Sequence, residues 1–148
     1  HTGCHLLSPQ YLHGFDDSED PVVFDELVAA LGAKPVEYPT KAACCGIGFA
    51  VTGQAVPSDQ ALSVKLTHIH AAGADCIAVG CPFCYQQFDL GQLSAARRFG
   101  LDFKTPVLNY LQLLGLALGF SPAEMQLSEH KVRVEGTSLG VRLEAMGA

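Results

Sequence analysis

Asp75-Cys76-Ile77-Ala78-Val79-Gly80, running into Cys81-Pro82-Phe83-Cys84, is the stretch that decides the fold. Residues 75–80 are a short apolar run, which reads as a strand buried in a parallel sheet. Cys81 stands at its carboxyl end, and a helix is expected over residues 83–98. Downstream, residues 105–108 read as a second short strand leading into a helix over 110–118. Upstream, Leu62, Leu66 and Ile69 share a face of a helix over 58–72, with Ser58 as N-cap, Asp59 in the first turn and Gly73 as the stop. Phe24, Leu27, Val28 and Leu31 mark another helix over 22–31, ended by Gly32. Residues 35–38 read as an extended segment before the loop that carries Cys44 and Cys45. Strands alternating with helices imply an α/β fold, a short parallel sheet flanked by helices. In such sheets ligands collect beyond the carboxyl ends of the strands, where Cys81 and the Cys44-Cys45 loop are expected.

Five of the six cysteines fall into one pattern: Cys4, then Cys44-Cys45-Gly46, then Cys81-Pro82-Phe83-Cys84, with 35 residues between Cys45 and Cys81. Adjacent cysteines make a poor disulfide with each other, because the ring between them is too tight for ordinary disulfide geometry. Beside a C-x-x-C pair they offer several soft ligands that can converge, and thiolate-rich sites select zinc, copper(I) or iron–sulfur clusters. Cys76, inside the strand and outside the pattern, reads as a small buried hydrophobe.

Apolar residues make up 49% and charged residues 16% of the 148, which describes one globular domain with a real core rather than a disordered chain. The net charge of −6 disfavours a nucleic-acid partner, and Arg97-Arg98 is an isolated pair on a solvated helix face. The longest apolar stretch, 107–120, is interrupted by Asn109, Tyr110 and Gln112 and is too short to span a bilayer. No secretory signal opens the sequence, and thiolates kept for a metal fit a reducing compartment, so a cytoplasmic protein is expected. A strand is expected ahead of Cys4, which makes the chain read as half of something longer. Residues 132–148 alternate weakly around Gly136 and Gly140 and read as a tail or a short hairpin.

The cysteine pattern resembles the cysteine-rich CCG domain found in the B subunit of heterodisulfide reductase. The likeness is carried by HTGCHLL at residues 1–7, CCGIG at 44–48, GCPFCYQQFD at 80–89 and LNYLQLLGLALG at 108–119, and it extends over residues 1–131. The resemblance implies a small Rossmann-like domain holding a non-cubane 4Fe-4S cluster, with Cys4, Cys44, Cys45, Cys81 and Cys84 as ligands. It further implies a disulfide or thiol substrate, a missing amino-terminal CCG half, and iron–sulfur and flavin subunits of a reductase complex as partners. With one motif set, the chain resembles the carboxyl-terminal half of such a protein. Gly46, Gly48 and Gly80 are expected to let backbone approach the cluster sulfurs, and Cys84 to sit in the first turn of a helix, where the dipole favours thiolate.

Two other readings of the same residues stay open. Cys81 and Cys84 alone make a dithiol oxidoreductase motif, in the strand-then-helix context that suits one. Four of the five thiolates also suffice for a tetrahedral zinc site. His5, beside Cys4, is either a cluster neighbour or an ordinary loop histidine. His1, His13, His68, His70 and His130 are expected at the surface.

Overall fold

The computed structural model describes residues 1–146. Two strands, β1 (Ile77–Val79) and β2 (Val107–Asn109), pair in parallel with Ile77 opposite Val107 and Val79 opposite Asn109. Helices α1 (Cys4–Leu7), α2 (Gln10–His13), α3 (Val23–Ala30), α4 (Ile47–Val51) and α5 (Ala55–Ala71) precede β1. Between the strands lie α6 (Pro82–Gln86), a π-helical turn (Gln87–Gly91) and α7 (Gln92–Phe99); α8 (Tyr110–Ala117) and α9 (Ser138–Met146) follow β2. This is the expected α/β arrangement, a short parallel sheet flanked by helices.

Successive strand residues point to opposite faces, and the two faces of β2 feed two cores. Val107 packs with Ile77, Val79, Phe88 and Ala95 and with the α5 stripe Leu62, Leu66 and Ile69. Leu108 packs with Leu116, Leu127, Val134 and Leu139. Cys45 and Cys84 are members of the first core, so the cysteine loops are anchored in it. Helix α8 starts on a capping box: Asn109 accepts the Leu111 N–H, and the Gln112 side chain accepts the Asn109 N–H.

Three elements depart from the sequence expectation. Helix α5 starts at Ala55, not at 58, because Pro57 falls in the first turn, where a missing N–H costs nothing. Ser58 is therefore inside the helix, and its hydroxyl is used elsewhere. Residues 35–38 form no strand: Pro35 and Pro39 remove donors at both ends, and no ladder partner stands alongside among the described residues. The Cys44-Cys45 loop thus follows an irregular segment and opens α4. Beyond Lys131, Val132, Val134 and Leu139 are buried and residues 138–146 form α9 rather than a hairpin or a loose tail. Residues 147–148 of the expected tail lie outside the described residues. No described helix is long and apolar enough to cross a membrane.

Buried polar side chains fix the helix between the strands. Gln92 donates to the Phe88 and Thr105 carbonyls and accepts the Thr105 N–H, which ties α7 to the approach of β2. The Asp89 carboxylate, in the π-helical turn, accepts the main-chain N–H groups of Lys131 and Val132, both at 2.9 Å. Asp89→Ala would strand these donors, and a loss of about 1–3 kcal/mol of stability is expected, read by chemical denaturation of the metal-free protein.

Candidate functional site

Three loops deliver the five pattern cysteines to one place. Cys4 opens α1; the residue before it, Gly3, has φ +100°, and a Cβ there would lie 3.0 Å from Cys81 Cβ and 3.7 Å from Cys84 Sγ. Only glycine allows this approach. Cys44 and Cys45 precede Gly46, which has φ +90° and whose Cβ would lie 2.8 Å from the Ser58 carbonyl oxygen. Cys81 follows β1, and Cys84 sits in α6. Cys4 and Cys44 are in hydrogen-bonding reach of each other, as are Cys81 and Cys84. The Cys45 and Cys84 sulfurs are hydrogen-bonded at 3.5 Å. Cys44 is exposed, Cys4 and Cys81 are half-buried, and Cys45 and Cys84 are buried. Cys76 stands apart, packed against the second core, with burial and then Asp75 raising its thiol to about 11.

The proton shared by Cys45 and Cys84 sets the electrostatics. The hydrogen bond from Cys84 holds the Cys45 thiol down to about 4, with further help from His1 and the Ile47 N–H. The same bond, together with burial, pushes Cys84 far up. The thiolate therefore belongs to Cys45, not to Cys84 as the helix dipole alone suggested. Burial, then the neighbouring Cys44 thiol, raises Cys4.

Several site residues were not foreseen. His1 is half-buried against the cysteines, with its ring nitrogens shielded: one of them and the Cys45 and Cys84 sulfurs lie within 4.8 Å of one another. Neither ring nitrogen has a hydrogen-bond partner of good geometry, and burial lowers the ring's pKa, which keeps it neutral. Its edge packs on Phe88. His130 is also buried, its Nε2 2.9 Å from the Gln112 amide nitrogen. Ser58 donates to the Gly46 carbonyl at 3.0 Å and accepts from the Gln87 amide at 2.9 Å, so one hydroxyl joins the Cys44-Cys45-Gly46 loop to the segment after Cys84. Lys65 lies fully buried below that loop and donates to the Thr40, Lys41 and Ala43 carbonyls. His5 is exposed. Of the other expected glycines, Gly48 faces open space and Gly80 makes room for Phe24 rather than for a ligand. A cavity of about 900 Å³ opens beside Cys4, lined by Leu7, Phe24, Val28, Ala78 and Leu116 among others.

A short parallel sheet carrying a buried, proton-sharing thiol centre defines a cysteine-rich α/β domain built for metal or redox chemistry. Residues 1–89 match the family of CCG cysteine-rich domains, and the chain belongs to that family. Over 134 residues it is 50% identical to the B subunit of the ferredoxin/F420H2-dependent CoB-CoM heterodisulfide reductase of Methanosarcina acetivorans. It is also 50% identical to the B subunit of the ferredoxin:CoB-CoM heterodisulfide reductase of Methanosarcina mazei, and each match covers 90% of this chain and 45% of the relative. Over 143 residues it is 36% identical to the 8-methylmenaquinol:fumarate reductase membrane anchor subunit of Wolinella succinogenes, covering 93% of this chain and 48% of that one. The chain thus spans about half the length of these relatives.

Ser58→Ala would leave the Gly46 carbonyl and the Gln87 amide unpaired, and a loss of about 1–3 kcal/mol is expected on chemical denaturation. The shared proton gives a pH signature as well. Folded, the Cys45–Cys84 pair keeps one proton above about pH 4, whereas unfolded it keeps two up to the ordinary thiol value of 9.0. Unfolding therefore takes up a proton between these limits. The stability of the reduced, metal-free protein is expected to rise with pH from about 4 to about 9 and to fall above that, where the folded state alone retains the Cys84 proton. Denaturation curves over this range check it, and Cys45→Ser should flatten the rise.

Proposed function

We propose that this chain is the iron–sulfur cluster-binding domain of an oxidoreductase like the heterodisulfide reductase B subunit, moving electrons to or from a disulfide or thiol substrate. The observation that carries the reading is the convergence of Cys4, Cys44, Cys45, Cys81 and Cys84 from three loops. The donor set suits an iron–sulfur group: five soft sulfurs, one already ionised, with main-chain N–H groups directed at two of them. The five cysteines would hold a non-cubane 4Fe-4S cluster. When bound, such a group supplies one-electron redox steps and a place for a substrate sulfur.

The chain's own residues do the rest. Burial of Cys45 and Cys84 excludes water from the inner side of the centre. The exposed Cys44 and the cavity beside Cys4 leave the outer side open to a small disulfide. Reducing that disulfide to two thiols takes two electrons and two protons. The electrons would come from iron–sulfur and flavin subunits of a reductase complex, and a second CCG domain would close the substrate site. The similarity to reductase subunits about twice this chain's length supports those partners, and a reducing cytoplasm is the compartment that suits the free thiols.

One observation favours zinc as a second reading. The His1 nitrogen with the Cys45 and Cys84 sulfurs forms a compact mixed donor set, to which one more thiolate adds a tetrahedron. A metal-free Cys81–Cys84 dithiol enzyme is less well supported, because the depressed thiol is Cys45, outside that pair.

Metal and acid-labile sulfide analysis of the full-length protein, purified without oxygen, separates these readings. About four irons per centre with matching sulfide are expected. Cys45→Ser and Cys81→Ser should lose them, while Cys76→Ser keeps them. About one zinc per chain without sulfide would favour the second reading. No metal, with activity insensitive to Cys44→Ser and Cys45→Ser, would favour the dithiol.

A further inference from the structure

Lys65 is the largest fully buried side chain among the described residues, at 1% exposure. It stands on the apolar stripe of α5, between Leu62 and Ile69, where an aliphatic residue would serve the core. Its ammonium donates to the carbonyls of Thr40, Lys41 (3.1 Å) and Ala43 (2.7 Å), which spends all three of its protons on the strap leading into Cys44. The Tyr38 ring lies 5.4 Å from it on another side. Among the described residues no carboxylate is within ion-pairing distance: Asp25 and Glu37 pair with Lys41, Asp59 with Arg98, and Asp75 with Arg142.

A buried ammonium satisfied only by neutral carbonyls keeps its hydrogen bonds but has nothing to balance its charge, and an unbalanced buried charge is expensive. Burial lowers the lysine's pKa to about 8, which leaves it charged at neutral pH, and the negative groups that oppose that shift are sulfurs: those of Cys45, Cys44, Cys84 and Cys4 all favour its charged form. A carboxylate here would neutralise the lysine in every state of the centre. With none present, its charge is left for the cysteines.

We propose that Lys65 is a positioning residue and the countercharge of the cysteine centre: it clamps the 40–43 strap that places Cys44 and Cys45, and its buried positive charge balances the negative charge of their sulfurs and whatever they bind. This rests on the cysteines carrying anionic sulfur, and in its redox form on the iron–sulfur reading above. A fixed positive charge stabilises the more negative, reduced state of a bound cluster. It therefore raises the reduction potential.

The test compares three substitutions in the full-length, anaerobically loaded protein. Lys65→Gln keeps a donor without charge, Lys65→Arg keeps the charge, and Lys65→Met is the neutral replacement if the glutamine variant does not fold. In a redox titration followed by electron paramagnetic resonance, the neutral variants are expected to shift the midpoint to more negative potential, with Lys65→Arg staying near wild type. Neutral variants that keep the wild-type midpoint overturn the proposal, as does an arginine variant that shifts as far as they do. Wild-type protein without iron would sink the cluster reading but not this one. Lys65 is then read from zinc dissociation constants, where roughly tenfold weaker binding is expected in the neutral variants and not in Lys65→Arg. Equal zinc affinity in all of them overturns it.

Discussion

The hydrogen bond from the Ser58 hydroxyl to the Gly46 carbonyl is the contact on which the rest of the centre depends. It fixes the Cys44-Cys45-Gly46 loop to α5, a 17-residue helix that further along the same face supplies Leu62, Leu66 and Ile69 to the core. The same hydroxyl receives the Gln87 amide, and Gln87 follows directly on the helix that carries Cys84. Two cysteine loops far apart in sequence are thus referenced to one buried atom. Lys65 repeats the device two turns further along α5, holding the strap before Cys44 as Ser58 holds the turn after Cys45. The loop is pinned on both sides of its two sulfurs by one rigid helix, as a ligand set of fixed geometry requires.

Crowding five thiols in this way creates an electrostatic problem that the free protein solves with one proton. Two adjacent buried thiolates repel, so Cys45 ionises and Cys84 does not. Were a metal held here, Cys84 would have to give up that proton to serve as a ligand, since only deprotonated sulfur binds. On the protein side lie the His1 ring, its nitrogens shielded, and the buried Lys65 charge, which reaches the Ala43 carbonyl just before Cys44.

The parts of this arrangement that were legible in the sequence are those that depend on local order. The strand before Cys81, the helix after it and the stripe on α5 follow from periodicity and from Gly and Pro punctuation, and they appear within a few residues of expectation. What failed depends on distant partners. Ser58 has the composition of an N-cap, but its hydroxyl serves Gly46, twelve residues away. Residues 35–38 have strand composition but no neighbour to pair with. His1 and His130 look like surface histidines until the fold closes around them. Lys65 did leave a trace: three residues after Leu62 and four before Ile69, it interrupts the buried face of an amphipathic helix, a position where a charge needs a reason.

The placement of the negative charge shows why the second motif ends in glycine. With Gly46 in the left-handed region, the chain turns so that consecutive main-chain N–H groups point back at the two sulfurs before them: Gly46 donates to Cys44 at 3.4 Å, and Ile47 to Cys45. Successive N–H groups on one side of a right-to-left-handed turn form a concave donor set for anions. A side chain at Gly46 would both strain that conformation and collide with the Ser58 carbonyl. The pair of cysteines therefore brings its own anion-stabilising donors, independent of the C-x-x-C helix. Cys45 is the ionised member first because Cys84 hydrogen-bonds it, and the Ile47 N–H of its own loop adds to that effect.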